Sequence, residues 1–536
     1  MPHGIGICKL RDRPVSGAAE SQVVRALGSI GGATLVSRML GYVRDMVVAL
    51  AFGAGPVTDA FFVAFRIPNI LRRLLAEGAL ATAVVPVFSD YSVNRTRDEL
   101  HRMFAVVLAA AMVVLTAVAL AGMLTAPWIV RIIAPGFSAD AEQWRLATLL
   151  TRVMFPYLIF VGLSALMMGA LQAHGRFFAA ALGPAVLNVG MIAGVVVLHA
   201  RCDPPVLALA IGVLVGGAGQ FIVQLPSVRR EALLVKPVLD IRHPALRRIA
   251  RLLVPAVFGL AAVQVSVFAN TLLASFLGAG SISYLYYADR VMEFPLGVFG
   301  IALASASLPT MARLGAAGDT RGVADTLNFA LRMSFYIAAP ATVGLILLRT
   351  PITRVLFERG QFGPAETAAT AFALAWYAFG LAAFSAARIA AQAFYALGEP
   401  ATAVRWGAVS VGASIVFAAL LMTVLGHAGL AAASSIGAFV NVAGLLFAAR
   451  RRLGRLGGRA MVQSALRSLV GCVPVIAWCA GLLYVWPVRG AAYVDLVLLL
   501  VAVVVGAALF LATSALLQAP ERTSLAAILP RRRRRC

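Results

Sequence analysis

SRMLGYVRDMVVALAFGAGPVTDAFFVAFRIPNILRR, residues 37–73, is apolar enough to lie in a lipid bilayer, yet it carries Arg38, Arg44, Asp45, Asp59, Arg66, Arg72 and Arg73. Charge is costly in hydrocarbon, and ionisable residues inside a membrane usually face a bundle interior or a watery cavity. The stretch therefore predicts membrane helices arranged around a charged chamber.

The rest of the chain has the same character. Of its 536 residues 61% are hydrophobic and only 13% charged, with a mean hydropathy of +0.90. So few polar groups cannot cover a soluble protein of this length, which leaves an all-α polytopic membrane protein. At about 20 apolar residues per crossing, about fourteen stretches qualify as transmembrane helices. They fall near 29–54, 60–89, 102–126, 146–172, 176–200, 206–226, 252–277, 283–312, 326–349, 367–397, 403–426, 428–449, 461–486 and 491–518.

The net charge of +24 invites a nucleic-acid reading, but the arginines gather in alternate loops. That is the positive-inside pattern of membrane topology, so no nucleic-acid partner is expected. The basic segments are the N-terminus, 94–102, 227–251, 313–321, 450–459 and the RRRRR tail at 531–535, which places both termini in the cytoplasm, the tail near anionic headgroups. The loop Arg349–Phe362 breaks the rule, being basic on the expected outer side. Residues 1–28 contain no cleavable signal, so the first span is expected to act as its own insertion signal. Cys8, Cys202, Cys472, Cys479 and Cys536 have no metal-binding spacing and read as free thiols.

The chain repeats itself. FGAG (Phe52–Gly55) recurs as LGAG (Leu277–Gly280), Val85–Pro86 as Leu308–Pro309, TAPWIVRIIAPG (125–136) as RTPITRVLFERG (349–360), and ALQAHG (170–175) as AFYALG (393–398). All four pairs share an offset of about 224 residues. A common offset predicts a cytoplasmic N-terminal segment at 1–28 and a six-helix lobe at 29–226. A basic cytoplasmic connector (227–251), a second six-helix lobe (252–449), a basic loop (450–460), two further helices (461–518) and a basic tail (519–536) complete the order. An even number of helices per lobe makes this a parallel repeat, with the substrate site between the lobes.

The charges have a pattern of their own. Arg38 and Asp45 are seven residues apart and share one helical face, with Arg44 on another flank. Asp59, Arg66 and Arg73 follow at intervals of seven, with Glu77 four later, forming one stripe. Pro68 should kink or break that helix near Asn69, which leaves Arg72 as an alternative to Arg73 on the cavity face. The eighth span repeats the theme: Asp289, Arg290 and Glu293 precede Pro295, and Arg290 can pair with Glu293 one turn on. Six arginines against five acids (Asp45, Asp59, Glu77, Asp289, Glu293) imply that the chamber is not simply a positive well. Guanidinium suits a diphosphate, because its planar fork makes two parallel charge-assisted bonds. Gly53, Gly55, Gly278 and Gly280, with Pro68 and Pro295, are the expected hinge elements. No metal motif, Walker loop or nucleophile elbow occurs, so no cofactor or metal is expected and the reading is a transporter rather than an enzyme or an ATP-driven pump.

SRMLGYVRD (37–45), FGAG, TDAFFVAFRIPNILRRLLAEGAL (58–80), VPVFSDY (85–91) and YYADRVMEFPLGVFGIAL (286–303) resemble the bacterial lipid II flippase family of the MurJ/MviN type. That family sits within the multidrug/oligosaccharidyl-lipid/polysaccharide exporter superfamily. The resemblance covers residues 23 to 518 and implies fourteen helices, two lobes forming a V, and a groove for a polyprenyl tail on the last two helices. The cargo it implies is lipid II, undecaprenyl-diphosphate-linked disaccharide pentapeptide, moved from the inner to the outer leaflet of the bacterial cytoplasmic membrane for cell-wall synthesis. Membrane lipids and cell-wall synthesis proteins are the partners it implies. The arginines it assigns to the substrate are Arg38, Arg44, Arg72 and Arg290, with Asp59 in support; Asp45, Arg66, Asn69, Arg73, Glu77, Asp289 and Glu293 are supporting positions. Some relatives use a sodium site with acidic ligands, whereas the spans at 252–277, 403–426 and 428–449 contain no Asp or Glu. The alternatives are a flippase for another polyprenyl-linked glycan, a drug exporter of the same superfamily, and a non-transporting scaffold. A drug exporter would want acids and aromatics rather than deep arginines; a scaffold would tolerate their loss.

Overall fold

The computed structural model describes residues 36–74, 80–174, 176, 178–486 and 492–523, and every regular element among them is helical. Helix α1 occupies 36–52, followed by α2 (Pro56–Leu74) and α3 (Leu80–Asn94). Next come α4 (Arg97–Ile133), α5 (Ala141–Met154), α6 (Tyr157–Ala173), α7 (Phe178–Leu198), α8 (Leu207–Ile222) and α9 (Leu225–Arg230). The second half contains α10 (Pro244–Ala274), α11 (Ser281–Pro295), α12 (Ile301–Ala316), α13 (Thr320–Leu347), α14 (Arg349–Phe357), α15 (Pro364–Phe379) and α16 (Leu381–Ala396). It continues with α17 (Pro400–Leu425) and α18 (His427–Leu453), and α19 (Gly458–Gly471), α20 (Val473–Tyr484) and α21 (Ala492–Leu516) close the described chain.

Helix occupies each of the fourteen apolar stretches. Among the described residues nine helices are long and apolar enough to cross a membrane, or ten if the pair Pro364–Phe379 and Leu381–Ala396, bent by 42°, is one span. The remaining stretches fall short because charges interrupt them, as in α2, or because their described helix is short, as in α1. Lipid-facing apolar surface is plentiful: α17 exposes Val404, Val416, Leu420 and Val424, and α21 exposes Val497, Leu500 and Val504.

Helices α2 to α8 pack mainly on one another, and α11 to α18 do likewise. Helix α10 lies against α2, α3 and α4 on one side and α17 and α18 on the other; α19, α20 and α21 sit against α13. The basic segment before α10 and the first turns of α10 are tied down by ion pairs of Arg248 with Asp90, Arg102 with Asp240, and Arg176 with Glu231. At the far end, Glu521 is buried and pairs with Arg332 of α13 at 3.2 Å.

Small residues set a close contact between α7 and α8. Gly190 and Gly194 on α7 face Gly212 and Gly216 on α8, each pair four apart and therefore on one helical face. A Cβ at Gly190 would lie 2.4 Å from the Gly216 Cα, and one at Gly216 would lie 2.8 Å from the Leu187 carbonyl oxygen. Inside a membrane, where burial supplies little drive between helices, such backbone contact is a main source of cohesion.

Two expectations about proline resolve differently. Pro68 is buried within α2, which runs unbroken to Leu74, so the expected break at Pro68 does not occur. Proline removes one hydrogen bond from a helix, and packing can absorb that loss. At Pro295 the helix does change: α11 ends there and a π-helical turn, Leu296–Gly300, leads into α12. The wider π turn accommodates the ring, a common device at functional sites.

The loop Arg349–Phe362 also finds a role. It forms α14 and then packs on the end of α1, the Gln361 N–H donating to the Leu50 carbonyl at 3.0 Å. Arg349 donates to the Ile346 carbonyl and Arg359 to the Val355 carbonyl, while Arg354 lies 3.8 Å from Glu358. These arginines serve local structure.

Replacing Gly190 or Gly216 with Val forces α7 and α8 apart. The expected cost is about 1–3 kcal/mol, as for overpacking generally, read as a lower melting temperature of the detergent-solubilised protein. An unchanged melting temperature would show that the backbone contact is not needed.

Candidate functional site

Three adjoining cavities of about 460, 330 and 180 Å³ share Glu293 in their walls. Helices α1, α2, α7, α10, α11, α12, α15, α16, α17 and α18 line them. Seven arginines border this space (Arg38, Arg44, Arg66, Arg72, Arg73, Arg290 and Arg388), against two acids, Asp289 and Glu293.

The centre of the arrangement is a carboxylate behind the wall. Asp45 is 2% exposed. Arg44 donates to its Oδ1 through Nε at 2.9 Å and Nη2 at 2.5 Å. Arg290 donates to its Oδ2 through Nε at 2.9 Å. The Tyr286 hydroxyl accepts from Arg44 Nη2 at 2.8 Å and donates to Asp45 Oδ1 at 3.1 Å. Arg44 also reaches the Asn188 Oδ1 at 3.1 Å, while Asn188 donates to the Ser37 carbonyl. Arg290 pairs with Glu293 at 3.2 Å, one turn on, and lies 5.0 Å from the centroid of the Tyr42 ring. One carboxylate thus holds a guanidinium from α1 and one from α11 in a single layer. Buried arginines stay charged only when paired and hydrogen-bonded in this way.

Helical-wheel geometry put Arg44 on a different flank from Asp45. Its side chain is long enough to fold back, and it enters the same cluster. Arg72 and Arg73 both border the largest cavity; Arg72 is held by the Asn69 Oδ1 at 3.1 and 3.0 Å, and Arg73 is exposed. Arg66 and Asp289 face the same space. Glu77 lies outside the described residues.

Asp59 is placed elsewhere. It is 2% exposed and accepts from the Gly280 N–H at 2.7 Å, the Ser283 N–H at 2.8 Å and the Ser283 hydroxyl at 2.5 Å. It caps the N-terminus of α11, where the unpaired N–H groups and helix dipole favour an anion. With Asp59 committed there, the acids that border the cavities among the described residues are Asp289 and Glu293.

Close backbone contacts surround this cap. Gly53 has φ +66° and Gly360 φ +58°, and a Cβ at either would lie 2.5 and 2.3 Å from the Gln361 and Leu50 carbonyl oxygens. The Gly136 N–H adds a further link, donating to the Ser275 hydroxyl oxygen at 3.1 Å. Of the expected hinge glycines, Gly53 and Gly280 adopt positive φ, while Gly55 and Gly278 have open space around them.

Sequence reasoning missed three participants. Arg388 of α16 borders two of the cavities, and its signal was a single arginine in an otherwise apolar span. Asn188 gave no signal, since an isolated Asn in a membrane helix is common. Glycines were the third: a Cβ at Gly41 would lie 2.5 Å from Arg290 Nη2, and one at Gly297 would lie 2.5 Å from Arg38 Nη1. Each half of the chain supplies a bare stretch of backbone against which the other half's guanidinium lies.

Gly41→Ala therefore displaces the Arg290 guanidinium while leaving every charge in place. Transport activity is expected to fall at least tenfold, the cost of losing about 1.4 kcal/mol of positioning, with expression and melting temperature near those of the parent. Full activity in Gly41→Ala would show that the exact seat of Arg290 is unimportant.

The sequence model of the lipid II flippase MurJ family matches residues 48–504. A lipid II flippase MurJ of Burkholderia cenocepacia is 37% identical over 470 residues, covering 85% of this chain and 90% of its own length. A probable lipid II flippase MurJ of Vibrio cholerae is 38% identical over 425 residues, covering 77% of this chain and 80% of its own. Among solved structures, a lipid II flippase MurJ in an inward closed conformation has a TM-score of 0.77 at 24% identity, covering 91% of this chain and 98% of its own. An inward-facing multidrug-resistance MATE transporter of the MOP superfamily has a TM-score of 0.64 at 16% identity, covering 78% and 96%. The two structures speak for the fold alone; the matches in sequence decide the family. The chain is a multi-pass membrane protein and belongs to the lipid II flippase MurJ family.

Proposed function

We propose that this chain flips lipid II, moving its diphosphate-linked headgroup across the membrane through the arginine-lined chamber. The observation that carries the reading is the excess of guanidinium over carboxylate around a cavity inside an otherwise apolar bundle. A diphosphate entering that space exchanges water for charge-assisted, bidentate hydrogen bonds. Arg38, Arg66, Arg72 and Arg73 border the cavity outside the Asp45 cluster and reach the cargo directly; Arg44 and Arg290 meet it while anchored by Asp45. Asn69 steadies Arg72, and Asp289 and Glu293 give the arginines an alternative partner once the cargo leaves.

The two halves, 29–226 and 252–449, act as lobes that rock about the chamber, joined by the connector at 227–251. Both termini are cytoplasmic in the inner membrane, and the cargo enters from the cytoplasmic leaflet. The Asp59 cap on α11 and the glycine contacts at Gly53 and Gly360 hold the outer end shut until rocking separates them. The apolar faces of α19 to α21 take the polyprenyl tail. A membrane potential, inside negative, favours outward movement of an anionic headgroup by about 2.3 kcal/mol per charge per 100 mV, so no ATP is required. Gly55, Gly278, Pro68 and Pro295 flank the moving parts.

Replacing Arg44 or Arg290 with Ala is expected to abolish support of growth in cells that depend on this chain, with lipid-linked precursor accumulating in the inner leaflet in a leaflet-resolved assay. Normal growth with both variants at parental expression would favour a scaffold instead. Collapsing the potential with an ionophore is expected to slow outward movement; an unchanged rate would remove the potential as the drive. Asp59→Ala is expected to loosen the outer end, so that a cysteine placed at Tyr286 is labelled faster by an impermeant thiol reagent from outside. Equal labelling would sink the closing role of Asp59.

A further inference from the structure

A fourth cavity, of about 450 Å³, lies apart from the chamber, between the first turns of α17 and the last turns of α18. Its floor is apolar: Phe394 is buried beneath it, and Trp406, Val409 and Phe447 line it. Its rim is cationic, formed by Arg405, Arg451 and Arg452. The site is built rather than incidental. Gly444 of α18 lets the Trp406 ring lie flat on the helix, since a Cβ there would stand 2.0 Å from Trp406 Cε3. Phe447 is 52% exposed and stacks beneath Arg451, whose guanidinium carbon is 4.4 Å from the ring centroid.

The charges are arranged for an anion. Glu399, the acid in the wall, is committed to Arg452 at 2.6 Å. Arg405 contacts the Thr402 hydroxyl at 3.5 Å, and neither it nor Arg451 is ion-paired among the described residues. An occupant must therefore be anionic at one end and apolar at the other. The groove also opens onto the side of α17 that exposes Val409, Val416 and Leu420. This apolar stripe leads from the rim along the helix, as an acyl chain would run.

We infer that this groove binds the headgroup of an anionic phospholipid from the leaflet on the side of the basic loops, its phosphate held by Arg405 and Arg451 and its upper acyl chain laid on Trp406 and Phe447. Basic pockets between membrane helices recognise anionic lipid headgroups in this way. The site is separate from the cargo chamber, and its occupancy is independent of whether lipid II is what the chamber moves.

The test uses the full chain in phosphatidylcholine nanodiscs, without cargo. The chain contains six tryptophans, so the Trp406 signal is the fluorescence difference between the parent and Trp406→Phe. Lipids brominated on the upper acyl chain serve as quenchers, as phosphatidylglycerol or phosphatidylcholine at equal mole fraction. Brominated phosphatidylglycerol is expected to quench Trp406 at several-fold lower mole fraction. Arg405→Gln and Arg451→Gln should each lose about fivefold of that preference, the equivalent of about 1 kcal/mol per cation near the surface, whereas Arg405→Lys should retain most of it. Equal quenching by the two lipids, or a preference that survives Arg405→Gln combined with Arg451→Gln, would overturn the assignment. So would loss of the preference on adding millimolar inorganic phosphate, which would mark the occupant as a soluble anion.

Discussion

Everything at the centre of this molecule depends on one carboxylate shared by two guanidiniums. Asp45 lies behind the cavity wall with Arg44 of α1 and Arg290 of α11 bound to its two oxygens. In a low-dielectric interior an unpaired charge would be expelled or neutralised, and a fully satisfied pair can remain. With Glu293 also on Arg290, two guanidiniums meet two carboxylates, which meets the cost of burial, and the surplus of positive charge lies in the other arginines around the cavities. The Asp45 cluster also ties the first half of the chain to the second at the level where cargo is expected to bind.

The glycine turns around Asp59 obey a related logic. Asp59 is held at the start of α11 by two N–H groups and the Ser283 hydroxyl, which together offer a dry carboxylate three hydrogen bonds. Backbone packs on backbone around it, between Gly53 and Gln361 and between Gly360 and Leu50. Contacts of this kind are close and directional, and they are lost together when the surfaces separate. That makes them suited to a switch between two states rather than to gradual deformation.

The class and the general site were legible in residues 37–73 and 286–295. Apolar runs of membrane length announce helices whatever the partners, and charges within them announce an enclosed polar space. Arg38, Arg44, Arg66, Arg72, Arg73, Asp289, Arg290 and Glu293 were all marked by that rule, and all border the cavities. The same rule marked Asp59, which the fold spends on a helix cap, and it applied equally to Arg388, which the charge pattern left unremarked. Wheel geometry misplaced Arg44 because it locates Cβ atoms, whereas a guanidinium ends several bonds away. It favoured Arg73 over Arg72 on the cavity face, and both border the cavity.

Composition and local pattern by themselves determined that the chain is a helical membrane protein with a repeated plan and buried arginines, because hydropathy and charge act residue by residue. Only the tertiary structure decided which acid each arginine meets, that α2 runs through Pro68 whereas Pro295 leads into a π turn, and that Gly41 and Gly297 make space for guanidiniums from the opposite half. Those outcomes depend on distances between segments more than two hundred residues apart, such as Asp45 and Arg290. No periodicity along the chain encodes such a distance; it exists only once the helices have packed.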